Sequence, residues 1–376
     1  MRLLDCCKID NQSVSKYEGT KKYIATGDII NNKIVTYEEY YYDSKPSRAN
    51  LQIEEGTVIF AKMKDTIKVL IGDKDNKTNT YSTGFCSLIP NDNILSKYLF
   101  YYLNSENFNN QKNKYSSGAT QQAINNEKLK KIMIKEVPPL EKQKEIINKL
   151  DTIMSLIEYK KRQIDKLNEL IKSQFVEMFG DIENTKYKIY ELSKLANLIT
   201  DGEHRKPNYT VTGIPFISVV NITTGELNFE NCKFVSEADA CKFNKRCNPE
   251  KGDILYTKVG ATYGRSAIVD TNKKFALYVS VCLIKPKKDL INSTFLNYTM
   301  RQPYVKLQAD KTIKGIGVPD LHLIEIKNFK IILPPIDLQT KFAQIVEQID
   351  KQKFEFENSL KKLEELKKSL MQEYFG

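Results

Sequence analysis

Polar and cationic side chains recur in the predicted loops of both halves of the chain. Lys and Arg can contact phosphate or guanine, and Gln and Asn can form paired hydrogen bonds with adenine. Singly, each such side chain fits a solvated surface role equally well, but as a set they predict a nucleic-acid surface. The candidates are Arg48, Lys62, Lys64, Thr120, Gln121 and Gln122 in the first half, and His204, Arg205, Lys206, Lys258, Thr262, Tyr263, Arg265 and Lys314 in the second.

Patterns that would indicate catalysis are weaker. The sequence contains no phosphate-binding P-loop, and no strand, glycine-rich loop and helix in the order typical of a methyltransferase cofactor site. His204 and His322 each lie beside acidic residues, which is more typical of a structural hydrogen bond than of a metal ligand. Glu250 and Asp253 near Lys258 could imitate a nuclease cluster, but they fit a turn before a strand better. We therefore predict no catalytic residue and no metal site in this chain.

The net charge of +11 is unevenly placed. Residues 1–136 carry 20 Lys and Arg against 16 Asp and Glu, and residues 181–332 carry 23 against 16. The other two segments, 137–180 and 333–376, carry 8 against 7 and 7 against 8, so together they are neutral. The excess positive charge thus lies in the two blocks that hold the candidate binding residues, as expected if those blocks meet a polyanion.

The seven cysteines are scattered and include no CxxC pair. This pattern favours a reduced, cytoplasmic protein without zinc. No apolar run approaches the roughly 18–20 residues of a membrane span, and the N-terminus lacks the apolar core of a signal peptide. We therefore expect no membrane partner.

One long segment occurs twice. Val137–Gly180 and Leu333–Gly376 align without a gap at a shift of 196 residues, so that Gln143 falls on Gln339. Each copy opens with two prolines, has no further proline or glycine before its last residue, and repeats apolar residues in steps of three and four. This spacing predicts two helices about 57 Å long that pair as a coiled coil. The repeat indicates that the chain is organised around these helices.

The blocks between the helices predict β-rich domains, because short β-type runs are separated by Gly, Asn and Asp. Glu55–Lys68 aligns with Lys251–Gly264 at the same shift, and Tyr23–Ala25 aligns with Phe216–Ser218 at a shift three residues smaller. Lys314–Ile331 takes the place of the segment that begins at Ser116. The predicted elements are strands at Lys22–Ile24, Lys33–Tyr37, Thr57–Ala61, Thr66–Ile71 and Ile254–Thr257, and helices at Ser96–Asn109 and Asn126–Lys130.

The predicted fold class is α+β, with two β-rich globular domains separated by two long antiparallel helices that form a coiled coil, in a pseudo-twofold internal repeat. The predicted boundaries are 1–136 for the first domain, 137–180 for the central helix, 181–332 for the second domain and 333–376 for the C-terminal helix.

Several short motifs occur along the chain. They are Asp201-Gly202-x-His204-x-x-Pro207, Gly213–Ser218 followed by Asn221-Ile222, Lys251–Leu255, Gly260-Ala261-Thr262-x-Gly264-Arg265, and the Pro-Pro openings of both helices with their Gln. Taken together, these motifs resemble those of the specificity subunits of type I restriction–modification systems, over nearly the whole chain. The first block departs from the pattern: it lacks the DGxH segment and has Lys64–Lys68 where the second block has Gly260–Gly264.

The resemblance implies that each block is a target-recognition domain reading one half of a bipartite, asymmetric sequence in double-stranded DNA. The helices would be a spacer that docks two methyltransferase subunits and, through them, restriction and translocase subunits. The helix length would then bound the separation of the two readers at roughly 17 base pairs. S-adenosylmethionine would belong to the methyltransferase and ATP with Mg to the restriction subunit, so that this chain is non-catalytic and holds no cofactor.

Three alternatives to this function remain open from the sequence. The first is a coiled-coil scaffold that binds other proteins. The second is an enzyme, either a nuclease or a methyltransferase, whose motifs are not recognised. The third is the specificity subunit of a related methyltransferase–nuclease system.

Overall fold

A computed structural model describes residues 1–180, 182, 185–315 and 317–376. They form two compact units, which we describe separately. Unit 1 combines Met1–Arg162 with Glu357–Gly376, and unit 2 is Gln163–Phe356. The predicted start of the second domain, Asp181, lies outside the described residues.

The elements of unit 1 are β1 (Cys7–Ile9), β2 (Thr20–Ile24), β3 (Ile29–Ile30), β4 (Lys33–Ile34), β5 (Glu38–Tyr41), β6 (Ala49–Leu51), β7 (Val58–Ala61), β8 (Val69–Ile71), β9 (Thr80–Ser82), β10 (Phe85–Pro90), α1 (Ser96–Leu103), α2 (Glu106–Tyr115), α3 (Asn126–Leu129) and the start of α4 (Leu140–Phe179). The strands form two four-stranded sheets, in the orders β1-β10-β7-β8 and β5-β2-β9-β6, and the hairpin β3-β4. In β7, Val58 and Phe60 face a core that includes helix α1, whereas Ile59 and Ala61 face the second core. Because successive side chains point to opposite faces, a strand covered on both sides is apolar throughout.

Three of the predicted elements of unit 1 were wrong in extent. The strand expected at Lys33–Tyr37 ends at Ile34, where the N–H of Val35 turns back to donate to the carbonyl of Asp28 (2.8 Å). The strand expected at Thr66–Ile71 begins only at Val69. The helix expected at Ser96–Asn109 is two helices, because the Ser105 hydroxyl accepts a hydrogen bond from the N–H of Phe108 (3.2 Å) and so caps a new helix.

The elements of unit 2 are β11 (Lys188–Glu191), α5 (Leu192–Leu195), β12 (Ala196–Asp201), β13 (Tyr209–Thr210), β14 (Ile214–Ile217), β15 (Lys233–Val235), α6 (Glu237–Asn244), β16 (Ile254–Thr257), β17 (Ser266–Ile268), β18 (Ala276–Leu277), β19 (Val281–Pro286), α7 (Ser293–Met300), α8 (Pro303–Thr312), α9 (Leu323–Lys327), β20 (Lys330–Leu333) and the start of α10 (Ile336–Phe375). They repeat the plan of unit 1, with the sheets β12-β19-β16-β17 and β13-β15-β14-β18 and the pair β11-β20. The strand predicted at Ile254–Thr257 is confirmed with both bounds.

The internal repeat is visible in the strand pairing of each unit. β2 runs parallel to β9, and β14 runs parallel to β18. The pairs are Tyr23 with Thr80 and Ile24 with Tyr81 in unit 1, and Phe216 with Ala276 and Ile217 with Leu277 in unit 2. The alignment of Tyr23 with Phe216, at the smaller shift, is therefore confirmed.

The two long helices, α4 and α10, have 40 residues each and begin at repeat-equivalent positions. In unit 1, Leu150 near the start of α4 and Phe375 at the end of α10 share one core. In unit 2 the roles reverse: the ring centroids of Phe175 near the end of α4 and Phe342 near the start of α10 are 5.4 Å apart. Both units thus show the predicted antiparallel pairing. Neither helix, nor any other among the described residues, is apolar over a stretch long enough to cross a bilayer.

A buried glutamine near the start of each long helix joins that helix to the globular part of its unit. Gln143 and Gln339 are both fully buried. The carboxamide oxygen of Gln143 accepts from the N–H of Leu95 (2.9 Å), and its nitrogen donates to the carbonyls of Asn93 (2.7 Å) and Pro138 (2.8 Å). The corresponding partners of Gln339 are Asn292 (2.8 Å), Leu290 (3.3 Å) and Pro334 (2.8 Å).

Candidate nucleic-acid interface

In unit 2, three segments meet at one end of the sheet that contains β16. They are the DGEH segment (Asp201–Pro207), the strand turn (Lys258–Arg265) and the glycine hairpin (Lys314–Asp320, of which Ile316 lies outside the described residues). The N–H of Gly260 donates to the carbonyl of Pro319 (2.8 Å), which joins the strand turn to the hairpin. The fold therefore brings together loops that lie about 50 residues apart in the chain, with 51 positions from Pro207 to Lys258 and 49 from Arg265 to Lys314.

Unit 1 forms the matching strand turn (Lys62–Lys68) and glycine hairpin (Ser117–Ala123) with equivalent backbone bonds. The N–H of Lys64 donates to the carbonyl of Gln122 (2.9 Å), as Gly260 does to Pro319. Gly118 and Gly315 have positive φ (144° and 97°), and a Cβ at either would lie 2.3 Å from a carbonyl oxygen. Only glycine fits there without strain, so both hairpins require it.

Unit 1 lacks the DGxH segment, but the carbonyl of Arg48 makes the backbone hydrogen bond that Glu203 of this segment makes in unit 2. The carbonyl of Glu203 accepts from the N–H of Val279 (3.0 Å) in unit 2, and the carbonyl of Arg48 accepts from the N–H of Thr83 (2.9 Å) in unit 1. Thr83 is the repeat equivalent of Val279, at the shift of 196. Arg48 thus lies beside the strand turn of unit 1 although no sequence motif marks it.

The structure places the predicted binding residues in three groups by exposure. The exposed ones are Arg48, Lys64, Thr120, Gln121 and Gln122 in unit 1, and His204, Arg205, Lys206, Arg265 and Lys314 in unit 2. Lys62, Thr262 and Tyr263 are half-buried, and Lys258 is buried. In each unit these residues lie on the segments that meet at the strand turn.

Lys258 does not present its ammonium to solvent. Its side chain is 7% exposed, and its Nζ lies 3.5 Å from Oδ2 of Asp201 and 3.4 Å from Oδ1 of Asp320. Asp201 is itself buried and also contacts His204 (3.0 Å) and Arg246 (3.3 Å). The DNA contact predicted at Lys258 would require its ammonium to leave these carboxylates, because a phosphate contact needs an accessible cation.

Tyr263 and His204 are each held by an acidic neighbour. The Tyr263 hydroxyl donates to Asp310, and the Lys306 ammonium lies 3.5 Å from the centroid of the Tyr263 ring. The hydrogen bond from Lys306 holds the pKa of Asp310 below its usual value, so this carboxylate stays charged. Sequence reasoning missed Asp310, Lys306 and Arg246 because they lie on or just after other elements, at no fixed spacing from Tyr263 or Asp201. Lys306 and Asp310 both lie on α8, and Arg246 follows α6.

The carboxylates that could imitate a nuclease cluster serve a turn. Oδ2 of Asp253 accepts from the N–H of Glu250 (2.8 Å), and both carboxylates lie within 3 Å of the Lys285 ammonium (2.7 and 2.9 Å). The turn that was predicted before β16 is therefore confirmed. Among the described residues, no three His, Cys, Asp or Glu side chains converge in a way that could hold a metal ion.

The two strand turns are stabilised by different donors. In unit 2, the buried Thr257 hydroxyl donates to the carbonyl of Thr262 (2.7 Å). In unit 1, alanine occupies the position of Thr257, and the Lys112 ammonium donates to the carbonyl of Thr66, the equivalent of Thr262. Lys112 is 1% exposed, and burial lowers its pKa to about 8. A hydroxyl in one unit is thus replaced by a buried ammonium in the other.

Replacing Lys112 by methionine is expected to remove a pH dependence of stability. The folded pKa of about 8 lies below the unfolded value of 10.5, so the unfolded chain binds more protons between these values. The contribution of Lys112 to stability is therefore full above pH 10.5 and is lost as the pH falls through 8. The unfolding free energy of the wild type should rise by about 1 kcal/mol per pH unit relative to Lys112→Met across this window.

Chemical denaturation at several pH values from 7.5 to about 9.5 measures this difference below the main range of tyrosine ionisation. Lys114→Met on the same helix is the matched control, because Lys114 is exposed. A parallel pH dependence in both variants would contradict the prediction.

Comparison with known proteins identifies the family. The sequence model described as type I restriction modification DNA specificity domain matches residues 2–169 and 183–368. The chain is 24% identical over 355 residues to the type I restriction enzyme MjaIX specificity subunit of Methanocaldococcus jannaschii, covering 86% of this chain and 80% of that protein. It is 20% identical over 380 residues to the EcoKI specificity subunit of Escherichia coli, covering 94% and 81%.

Two solved structures show the same fold. One is a chain from a study of complex assembly and conformational transition in the type I R-M system, with a TM-score of 0.61, 19% identity and coverage of 100% of this chain and 96% of that chain. The other is the S subunit of a type I restriction–modification system from M. genitalium, with a TM-score of 0.57, 15% identity and coverage of 100% and 95%. Since the family match spans both repeats, this chain belongs to the type I restriction–modification DNA specificity domain family.

Proposed function

We propose that this chain is the sequence-specific DNA-recognition subunit of a type I restriction–modification complex. The observation that carries the proposal is the family match over both repeats, together with exposed side chains on equivalent segments of the two units, which are cationic in both units and include amides in unit 1. Two equivalent clusters with different side chains suit a target made of two different half-sites.

The proposed recognition domains are residues 1–136 and 181–332, and the proposed DNA-contacting residues are the exposed and half-buried members of the predicted set. The net charges of the two domains, +4 (20 − 16) for residues 1–136 and +7 (23 − 16) for residues 181–332, favour contact with phosphate. The exposed amides of Gln121 and Gln122 can form paired hydrogen bonds with adenine. Sequence preference would come from such side chains and from the shape of the DNA.

The two long helices are proposed to dock two methyltransferase subunits, and the restriction subunit through them. The neutral charge of these segments suits a protein partner better than DNA. In this proposal the chain performs no chemistry: S-adenosylmethionine belongs to the methyltransferase, and ATP and Mg belong to the restriction subunit. The proposed location is the cytoplasm, where the seven free cysteines would stay reduced.

Mapping of methylated adenines tests this function. The chain is co-expressed with its methyltransferase subunits in a host without other adenine methylation, and we expect one split motif with an unread gap. Replacing residues 1–136 with the same region of a relative should change only one half of the motif. The matched exchange of residues 181–332 should change only the other half.

Each exchange leaves the two long helices intact. A motif altered in both halves by a single exchange would contradict the two-reader proposal. Methylation without any preferred sequence would favour a scaffold role instead.

A further inference from the structure

Lys62 and Lys258 occupy the same position in the two repeats. The N–H of Lys62 donates to the carbonyl of Gly84 (3.0 Å), and the N–H of Lys258 donates to the carbonyl of Ser280 (3.0 Å). The carbonyls of the two lysines accept from Ile124 (3.0 Å) and Leu321 (2.8 Å), respectively. Their backbones are thus held alike, so any difference between them arises from the surrounding side chains.

In unit 2, the Lys258 ammonium links all three segments of the interface. It starts on the strand turn and lies between Asp201, which opens the DGEH segment, and Asp320, which closes the glycine hairpin. Arg246 adds a second cation on Asp201 and also donates to the carbonyl of Asp201 (3.0 Å). Buried charges persist in proteins when they are paired in this way, and removal of one partner leaves the others uncompensated.

In unit 1, neither carboxylate has a counterpart. Ile9 pairs with Leu88 as Ile199 pairs with Ile284, so Ile9 and Ile199 are equivalent. Two residues after them, unit 1 has Asn11 at the position of Asp201 in unit 2. The bridge between Met63 and Ala123 matches the bridge between Val259 and Asp320, which places alanine where unit 2 has the second carboxylate.

Lys62 consequently stands in different surroundings. It is half-buried, and it forms no ion pair with any residue of the described ranges. An ammonium without a carboxylate partner, next to exposed Lys64 and Gln122, can meet a phosphate without first breaking an internal ion pair.

We propose that these equivalent lysines have diverged in role: Lys62 contacts the DNA backbone, whereas Lys258 is a positioning residue that fixes the three segments of unit 2 relative to one another. The inference rests on the proposed DNA-binding function. Lys258, Asp201 and Asp320 then act on sequence discrimination through the segments they hold, without contributing a phosphate contact.

The salt dependence of binding separates the two roles. Lys62→Gln and Lys258→Gln each remove one positive charge, so they are matched in net charge. The full chain, co-expressed with its methyltransferase subunits, is titrated at several salt concentrations. One duplex carries the motif mapped by methylation, one has a changed second half-site and one is scrambled.

Lys62→Gln is expected to reduce the slope of log affinity against log salt by about 0.9 on every duplex, with discrimination between duplexes unchanged. Lys258→Gln is expected to leave the slope at the wild-type value and to reduce discrimination at the second half-site by at least about fivefold. Asp320→Ala copies Ala123 of unit 1 and removes a side chain that is 44% exposed, so it tests the cluster in a variant that should fold. It too should lower discrimination at the second half-site without lowering the slope.

Equal losses of slope in Lys62→Gln and Lys258→Gln, with wild-type binding intact, would overturn the divergence of roles. Full discrimination in Asp320→Ala would overturn the positioning role. A wild-type complex with no salt-dependent binding would overturn the proposed function together with this inference.

Discussion

Raising the salt concentration from about 50 to about 200 mM should weaken DNA binding by this chain by roughly 10³- to 10⁵-fold. Among the predicted contact residues, the cations that stay available for phosphate are Arg48, Lys62, Lys64, Arg205, Lys206, Arg265 and Lys314. If each neutralises one phosphate, the slope of log affinity against log salt is about −6.3, which corresponds to a loss of about 6,000-fold over this range. Fluorescence anisotropy with a labelled duplex measures it.

Two double variants of equal charge locate the contacts. Arg205→Gln with Lys206→Gln should reduce the slope by about 1.8, since both side chains are exposed on the DGEH segment. Lys166→Gln with Lys172→Gln removes the same charge from the exposed face of α4 and should leave the slope at the wild-type value. An equal effect from both pairs would show that net charge, and not the proposed interface, governs binding.

Replacing Gln143 or Gln339 by leucine is expected to destabilise its own unit by roughly 2–5 kcal/mol. Each substitution leaves one buried N–H and two carbonyls without their partner, and an unsatisfied buried group costs about 1–3 kcal/mol. Hydrogen exchange localises the effect: the amide of Leu95 should exchange faster in Gln143→Leu, and the amide of Asn292 in Gln339→Leu.

Gln352→Leu on α10 is the matched control, because that side chain is exposed and leucine favours the helix as much as glutamine does. Its effect should stay within about 0.5 kcal/mol. Loss of protection at both amides in either single variant would contradict the assignment of each glutamine to one unit.

Much of the architecture follows from the sequence because it is written twice. The gapless match of Val137–Gly180 with Leu333–Gly376 predicted two long helices, and their bounds, Leu140–Phe179 and Ile336–Phe375, differ by the shift of 196 that the sequence showed. The weaker match of Tyr23 with Phe216 also proved to be a structural equivalence, in a parallel strand pair. Because the same spacing occurs twice, a match between the two copies distinguishes a structural pattern from a coincidental one.

The side-chain chemistry of the interface was less predictable, because it depends on partners that approach from distant parts of the chain. Lys258 was expected to be exposed, yet it is enclosed by Asp201 and Asp320, 57 residues before and 62 after it. The donor to the strand turn differs between the units for the same reason. In unit 1 the donor is Lys112, which lies 51 residues after Ala61, the equivalent of Thr257. Neither arrangement has a local spacing that periodicity or motif could reveal.

The division of the chain between its units has a consequence for its synthesis. Unit 2 is one continuous stretch, Gln163–Phe356, whereas unit 1 needs Glu357–Gly376 to complete its core around Phe375. Domains generally fold as their chains leave the ribosome, at about 5–20 residues per second. The Met1–Arg162 part of unit 1 therefore waits roughly 10–40 s for Glu357–Gly376 to be added, while its apolar surface at Tyr98 and Leu150 stays uncovered. During that interval the incomplete core of unit 1 exposes apolar surface that favours aggregation or binding to a chaperone.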